Sequence, residues 1–209
     1  MPRPSVMTWQ GRPLTSHPSR ARPPRPRPPR PRPTRPPRAR FGGGYALGGE
    51  PTLDGPPPAG FHVTTRSRVI GHGRAAFDAA GDAVLHWQVH RGSGFVPLEG
   101  PARVTVGATS VWGVTFGPLH PPVACRVFAV VRSETEIGFG HAALVGHPQR
   151  GWESYRVRHH DDDSVTLDIR VVWRPAAWWM RAAGPASALA LSLILRRNLR
   201  ALDGVVASV

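Results

Sequence analysis

Alternation of apolar and polar residues predicts β-strands over most of the chain after residue 60. The last of them, VTLDIRVVW, places Val165, Leu167, Ile169, Val171 and Trp173 on one face and charged residues on the other. Such alternation is typical of a strand with one buried face. The run FHVTTRSRVI predicts the first strand, and the strands between are predicted at RVTVG, TSVWGVTF, VACRVFAVVR, EIGFGHAALV and WESYRVRHH.

Helical spacing of apolar residues occurs at two places. Between the first strand and the others, AAFDAAGDAVLHWQVH puts Phe77 and Trp87 on one stripe. After Pro175, the segment AAWWMRAAGPASALALSLILRRNLRAL predicts a long C-terminal helix. A kink or break is expected in this helix at Gly184-Pro185.

The order of these elements predicts the architecture. It runs strand, helix, about six strands and long helix, without the βαβ alternation of a doubly wound sheet. We therefore expect an α+β fold in which a curved antiparallel sheet of about six or seven strands grips the C-terminal helix. This is the helix-grip arrangement of START-like and birch-pollen-allergen-like proteins. The helix is expected to bury Leu189, Leu193 and Leu199, and the bent sheet can enclose a ligand pocket.

Four dispersed segments carry a resemblance to a known family. They are PPPAGF, then VIGHGRAAFDAAGDAVLHWQVHRGSGF, then GFGHAALVGHPQRGWESY, and finally WRPAAWWMRAAGP with LILRRNLRAL. In this order they resemble DUF1990, a domain of unknown function found in actinobacteria and plants, over roughly Tyr45 to Leu202. The chain departs from the family pattern Gly-Phe-x-Tyr-Gly-Thr-Leu, where it reads GFGHAAL, and carries Trp152-Glu153 where relatives often have paired glutamates. The resemblance implies no particular activity.

Residues 1–40 are of low complexity, with 13 prolines and 11 arginines among them. Proline removes backbone donors and fixes φ, so disorder or polyproline II is predicted there. We divide the chain into a disordered Pro/Arg-rich tail at 1–40, a Gly/Pro-rich lead-in at 41–60 and a single domain at 61–203. The tail is either a ligand for an anionic or SH3-like partner or a dispensable extension, such as one added by a misassigned start codon.

The charge of the chain belongs mainly to this tail. Of the formal net charge of +14, +11 lies in residues 1–40 and +3 in the remainder. All 27 basic residues are arginine, which is more typical of codon bias than of selected phosphate contacts. We therefore expect no specific nucleic acid binding. The longest apolar stretch, Ala182 to Leu195, falls short of the roughly 20 residues of a transmembrane helix, and we expect a cytoplasmic protein.

Motifs for metals and cofactors are weak in this sequence. The histidines show no paired zinc-ligand spacing, and HHDDD at 159–163 is more typical of a solvated turn. GHGR at 71–74 lacks the other glycines of a phosphate loop. The single cysteine, Cys125, lies in the apolar run PPVACRVFAVV and is predicted to be a buried, inert thiol. No cofactor and no metal are predicted.

The segment GHPQRGWESY contains the best candidate for catalysis. Alternation along its second half points Glu153 to the same side as Val157. An inward carboxylate with His147 or His141 as its partner would be suited to general acid or base catalysis. Alternatively, Glu153 accepts hydrogen bonds from turn amides or an arginine and holds the hairpin in register.

Three functional hypotheses follow. We favour a domain that binds a small hydrophobic ligand between the sheet and the C-terminal helix, with Glu153 and His147 as polar anchors. The predicted walls of this pocket are Trp87, Phe139, Tyr155, Trp173 and Leu193. The first alternative is an enzyme that uses Glu153 and a histidine as general acid and base in the same cavity. The second is an interaction protein that acts through its Arg/Pro-rich tail.

Overall fold

The computed structural model describes residues 42–45, 50–115 and 120–209, so the predicted tail and its partners lie outside the described residues. The strands are β1 Gly42–Tyr45, β2 His62–His72, β3 Val96–Glu99, β4 Thr109–Gly113, β5 Pro122–Arg132, β6 Glu136–Val145, β7 Gln149–His159 and β8 Ser164–Pro175. The helices are α1 Gly73–Leu85, α2 Gln88–Gly92, α3 Trp178–Ala183, α4 Pro185–Arg200 and α5 Asp203–Val206.

The strands form one antiparallel sheet in the order β2-β8-β7-β6-β5-β4-β3, and β1 pairs with β6 outside this path. The register is continuous from β5 to β8 apart from an irregularity in β5 after Val127. Such bulges bend a strand and increase its twist. The sheet accordingly curves, and its seven-stranded path confirms the predicted antiparallel arrangement.

Two local predictions are wrong. The run RVTVG, residues 103–107, is a loop rather than a strand. There Val104 N–H donates to the Leu85 carbonyl at 2.8 Å, and Gly107 turns the chain with a φ of 82°. The single early helix is divided into α1 and α2 by Trp87, whose left-handed backbone has a φ of 63°.

The main hydrophobic core lies between the sheet and the helices. It joins Phe77 of α1, Leu167 and Ile169 of β8, and Leu191 and Leu195 of α4, all of which are buried. The side chains of a curved sheet and of the long C-terminal helix therefore share one core, which confirms the predicted α+β helix-grip fold. No helix in the part of the chain that the structure describes combines the length and hydropathy of a membrane span.

The face that α4 presents to the sheet differs from the predicted one. Leu189 is 63% exposed and Leu193 is 48% exposed, whereas Leu191 and Leu195 are buried. Apolar residues occur all around this helix, so spacing alone does not select its buried face. The break at Gly184, which was predicted, also resets the helical phase between α3 and α4.

Part of the Gly/Pro-rich lead-in packs on the outer face of the sheet. Trp152 Nε1 donates to the Thr52 carbonyl at 2.8 Å. Arg156 binds the carboxylate of Asp54 with two donors, at 2.7 and 2.8 Å. Because the Arg156 side chain is buried, these bonds hold residues 52–54 against β7.

Candidate functional site

An apolar cavity of about 270 Å³ lies between the sheet and the C-terminal helices. On the sheet side its wall includes Trp112 of β4 and Val123 of β5, and on the helix side it includes Ala190, Leu191 and Ile194 of α4. A wider groove of about 680 Å³ beside it shares Pro121, His147, Pro148 and Trp179 with the cavity rim. The groove and the cavity therefore adjoin at these residues.

The structure brings together the three polar residues that the sequence singled out. Glu153, His141 and His147 all line the cavity. His141 and Glu153 stand opposite each other on β6 and β7, and His141 Nε2 lies 3.7 Å from Glu153 Oε2. This distance exceeds that of a hydrogen bond, so the contact is a close electrostatic one. His147 belongs to the turn, where its Nδ1 accepts the Gln149 N–H at 3.0 Å.

The carboxylate of Glu153 is held by a chain of hydrogen bonds. The Tyr155 hydroxyl, two residues further along the same face of β7, donates to Glu153 Oε2. Asn198 Nδ2 of α4 donates to Tyr155 Oη at 3.3 Å. The helix therefore supports the orientation of a cavity carboxylate, and the predicted alternative of hydrogen bonds from turn amides or an arginine is not what fixes Glu153.

Cys125 is the residue of the site that sequence reasoning missed. It lies in the cavity wall with His141 and Glu153, whereas the apolar run around it in the sequence predicts an inert thiol. The pairing of Cys125 with Ala143 on β6 brings it diagonally next to His141. Alternation along β5 indicated which face of that strand the thiol occupies. It did not give the register against β6, which is what places the thiol beside an imidazole.

These neighbours shift the pKa values of the site. Burial raises the pKa of the Cys125 thiol, but its interactions with His141 and His147 outweigh burial and lower the pKa to about 6. Burial lowers the pKa of His141, whereas Cys125 and Glu153 together raise it to about 10. Burial raises the pKa of Glu153, and His141 and Tyr155 lower it to about 2. These interactions therefore favour the charged forms of the three side chains, a thiolate, an imidazolium and a carboxylate.

Several buried polar atoms at this end of the cavity have no hydrogen-bond partner among the described residues. They are His90 Nδ1, Trp112 Nε1 and both ring nitrogens of His141. Their residues are only 3%, 3% and 5% exposed, respectively. Burial lowers the pKa of His90 to about 3, and the charge of His141 acts in the same direction, so His90 is neutral. Buried polar groups are normally paired, which makes this cluster unusual.

The four aromatic residues predicted to line the pocket lie elsewhere in the structure. Trp87, Phe139 and Tyr155 are fully buried in the core behind the cavity, with the Trp87 and Phe139 ring centroids 5.1 Å apart. Trp173 is buried at the adjoining edge, beside Gly151 and Glu153. None of these four is in the cavity wall.

Leu193 lies on the exposed face of α4, so its predicted wall position is wrong. The reason is the helical phase, because Ala190, Leu191 and Ile194 turn towards the cavity instead.

The run HHDDD at 159–163, which the sequence predicts to be a solvated turn, ends β7 at His159 and forms the turn before β8. Asp163 has a φ of 65°, and its Oδ1 lies 2.8 Å from His159 Nε2. Among the described residues, no group of three or more His, Cys, Asp or Glu is arranged to hold a metal ion.

A comparison with sequence families matches the chain to Domain of unknown function (DUF1990) over residues 45–201. The chain belongs to the DUF1990 family. The match covers strands β2 to β8 and α4, so the cavity and its polar cluster lie within the DUF1990 domain. None of the curated proteins with which the sequence was compared matches it.

Solved structures resemble this DUF1990 chain in fold. An uncharacterized protein from Rhizobium leguminosarum has 8% identity and a TM-score of 0.50, with 71% of this chain and 96% of that one covered. The protein Ara h 8.0201 has 12% identity and a TM-score of 0.49, covering 72% and 100%. The major latex-like protein 151 of Panax ginseng has 10% identity and a TM-score of 0.47, covering 69% and 96%. At such identities the likeness concerns the fold alone.

Proposed function

We propose that this DUF1990 domain binds a small apolar molecule in the cavity between its sheet and α4. The observation that carries this proposal is an apolar cavity of about 270 Å³ with polar atoms gathered at one end. Protein interiors are usually packed with few voids larger than a water molecule. A void of this size beside a buried polar cluster is therefore better explained by an occupant than by imperfect packing.

The size of the cavity limits the ligand. A cavity of about 150 Å³ lined by apolar side chains holds benzene. On the same scale, about 270 Å³ accommodates a molecule of roughly ten to twelve non-hydrogen atoms. A bicyclic aromatic or a short branched acyl group meets this limit, whereas a long fatty acid or a sterol exceeds it.

The polar end of the cavity indicates one further property of the ligand. Trp112 Nε1 can only donate a hydrogen bond, and it has no acceptor within the described residues. Leaving such a group buried and unpaired costs about 1–3 kcal/mol. A ligand that supplies an acceptor oxygen, such as a carbonyl or hydroxyl oxygen, recovers this energy. We therefore propose an apolar ligand with one oxygen-bearing end.

Calorimetric titration with 2-naphthol tests this proposal. Ala190→Trp places a large side chain in the cavity wall, whereas Ala188→Trp places the same side chain on the exposed face of α4. We expect the unmodified protein and Ala188→Trp to bind with similar affinity, and Ala190→Trp to bind at least about tenfold more weakly. Equal binding by all three proteins, or no binding of 2-naphthol and similarly sized aromatic alcohols, would refute the proposal.

A second candidate function is acid–base catalysis in the same cavity. The close contact between His141 and Glu153, at 3.7 Å, favours it. Glu153→Gln would then abolish turnover while thermal stability stays unchanged. A large loss of stability would instead indicate that Glu153 has a structural role.

A further inference from the structure

Three reactive side chains form a row across neighbouring strands at the polar end of the cavity. His141 on β6 is opposite Glu153 on β7 and opposite Val127 on β5. Cys125 lies two residues from Val127, so it points to the same face and is the diagonal neighbour of His141. All three reactive side chains line the cavity. The thiol therefore faces the same space as the proposed ligand.

Cys125, His141 and Glu153 are arranged as in sites that activate a nucleophile. A thiol beside an imidazole, which is itself oriented by a carboxylate, is the arrangement of nucleophile, general base and orienting group. Glu153 is held in turn by the Tyr155 hydroxyl, and Tyr155 by Asn198. The orienting group is thus fixed from the sheet and from α4.

A second observation shows that the row faces a space for a ligand. His141 is 5% exposed, and neither of its ring nitrogens has a hydrogen-bond partner within the described part of the chain. The same holds, among those residues, for Trp112 Nε1 in the adjoining wall. A cluster selected only for packing would pair these groups with one another. The His141 nitrogens are close to Cys125 and Glu153, whereas the Trp112 N–H is left for an acceptor that a bound molecule supplies.

We propose that Cys125 is the nucleophile of an acyl-transfer site in which His141 is the general base and acid. The substrate class is a small ester or thioester of an apolar carboxylic acid. Glu153 and Tyr155 are positioning residues that act through His141. This inference rests on the proposed function, because the apolar cavity would hold the acyl group of the substrate.

The reaction balances without a redox partner or a cofactor. The Cys125 sulfur, whose proton has passed to His141, attacks the carbonyl carbon of the ester and forms a C–S bond, and the carbonyl electrons move to oxygen. The tetrahedral intermediate then expels the alcohol, which takes the proton from His141. Water, deprotonated by His141, attacks the thioester and releases the carboxylic acid and the thiolate. The Trp112 indole N–H in the cavity wall is a donor available to the developing oxyanion.

Acylation by p-nitrophenyl butyrate tests the proposal. We expect an initial burst of one nitrophenolate per protein, and mass spectrometry should find one butyryl group on Cys125. Cys125→Ser, which changes one atom, should lose the adduct. His141→Gln should slow acylation by roughly 100-fold or more, as expected for loss of a general base. A butyryl group on another residue, or an unchanged rate in His141→Gln, would overturn the proposal.

The positioning role of Glu153 is tested by the pH dependence of acylation, because a change in packing alone would not shift it. The titratable groups that face Cys125 are His141 and Glu153 on the neighbouring strands, His147 in the following turn and His90 on α2. Removing the charge in Glu153→Gln should move the pH profile of acylation to higher pH. A profile that keeps its midpoint while the overall rate falls would show that Glu153 acts only on packing.

Failure of this inference can be told apart from failure of ligand binding. Titration of Cys125→Ser with 2-naphthol measures occupancy of the cavity without the nucleophile. If it binds 2-naphthol as the unmodified protein does, and the unmodified protein forms no butyryl adduct, the acyl-transfer site is wrong and the binding function stands. If neither protein binds 2-naphthol, the binding function itself fails, and the acyl-transfer site loses its substrate pocket.

Discussion

His141 Nε2 lies 3.7 Å from Glu153 Oε2, across the pair formed by β6 and β7 on the inner face of the sheet. Charges at this distance interact more strongly in a protein interior than in water. The pair also adjoins Cys125, whose thiol has its pKa lowered to about 6 despite burial, mainly through His141. The reactivity of one thiol therefore reports on the charge of the whole cluster.

Glu153→Gln should raise the pKa of the Cys125 thiol. The substitution removes the carboxylate that favours the imidazolium form of His141, so the thiolate loses part of its positive neighbour. We expect the rate of iodoacetamide alkylation to have a midpoint near pH 6 in the unmodified protein and a higher midpoint in the variant. Glu99→Gln on the exposed strand β3 is the matched control. A midpoint that Glu153→Gln leaves unchanged would contradict the coupling.

His90 should make stability depend on pH. Burial lowers the pKa of His90 from 6.5 to about 3, so between these values the unfolded chain binds the proton and the folded protein does not. The free energy of unfolding should therefore fall as the pH drops through this window, with a slope of up to about 1.4 kcal/mol per pH unit. Urea unfolding between pH 6.5 and about 5 measures the slope above the range in which Glu153 contributes. Because His141 and Cys125 also change protonation on unfolding in this range, the contribution of His90 is the difference in slope from a variant that lacks it.

His90→Phe should reduce that slope, while His72→Phe at an exposed position should keep it. The three proteins would be compared at matched ionic strength. Parallel slopes for all of them would show that folding does not lower the pKa of His90.

Shortening leucine side chains should affect the free energy of unfolding differently on the two faces of α4. Leu191 and Leu195 belong to the core shared with the sheet, so Leu→Ala at either position should cost about 2–5 kcal/mol. Leu193→Ala, on the exposed face of the same helix, should stay within about 0.5 kcal/mol. The free energies of unfolding of the variants would be measured by chemical denaturation and compared at a common m-value. A cost at Leu193 as large as that at Leu195 would mean that α4 packs through its other face.

The fold could be predicted from the sequence because its elements obey local rules. Alternation in β8 predicted the inner positions Val165 to Trp173, all of which are buried. Such rules fail where tertiary contacts override them. In β5 the irregularity after Val127 changes the alternation, so that Val130 packs against the core. In α4 the apolar residues surround the helix, and only its docking on the sheet decides that Leu193 faces outward.

The candidate site could be predicted only in part. Glu153, His141 and His147 were found because polar residues stood out at inward or turn positions. Cys125 was missed because its role depends on the register between β5 and β6, which a strand pattern does not contain. The predicted aromatic walls were assigned by residue type, but large aromatic rings such as Trp87 fill the core behind the cavity instead.

Asp54→Asn should loosen the lead-in from the outer face of the sheet. Asp54 accepts two hydrogen bonds from Arg156, and the pairing lowers the pKa of its carboxyl group. Because Asp54 is largely exposed, we expect a loss of only about 1 kcal/mol of unfolding free energy, together with faster amide exchange around Thr52. Asp161→Asn, in the exposed turn after β7, should change neither. Unchanged exchange in Asp54→Asn would show that this ion pair does not hold the lead-in.

The most direct test of the central claim is a crystal structure of the protein soaked with 2-naphthol. We predict density for the ring system in the cavity between Trp112 and Leu191, with the hydroxyl group directed towards Trp112 Nε1 and His141. A cavity left empty at a concentration that saturates binding in solution would contradict the account. So would density confined to the surface beside the exposed Trp178.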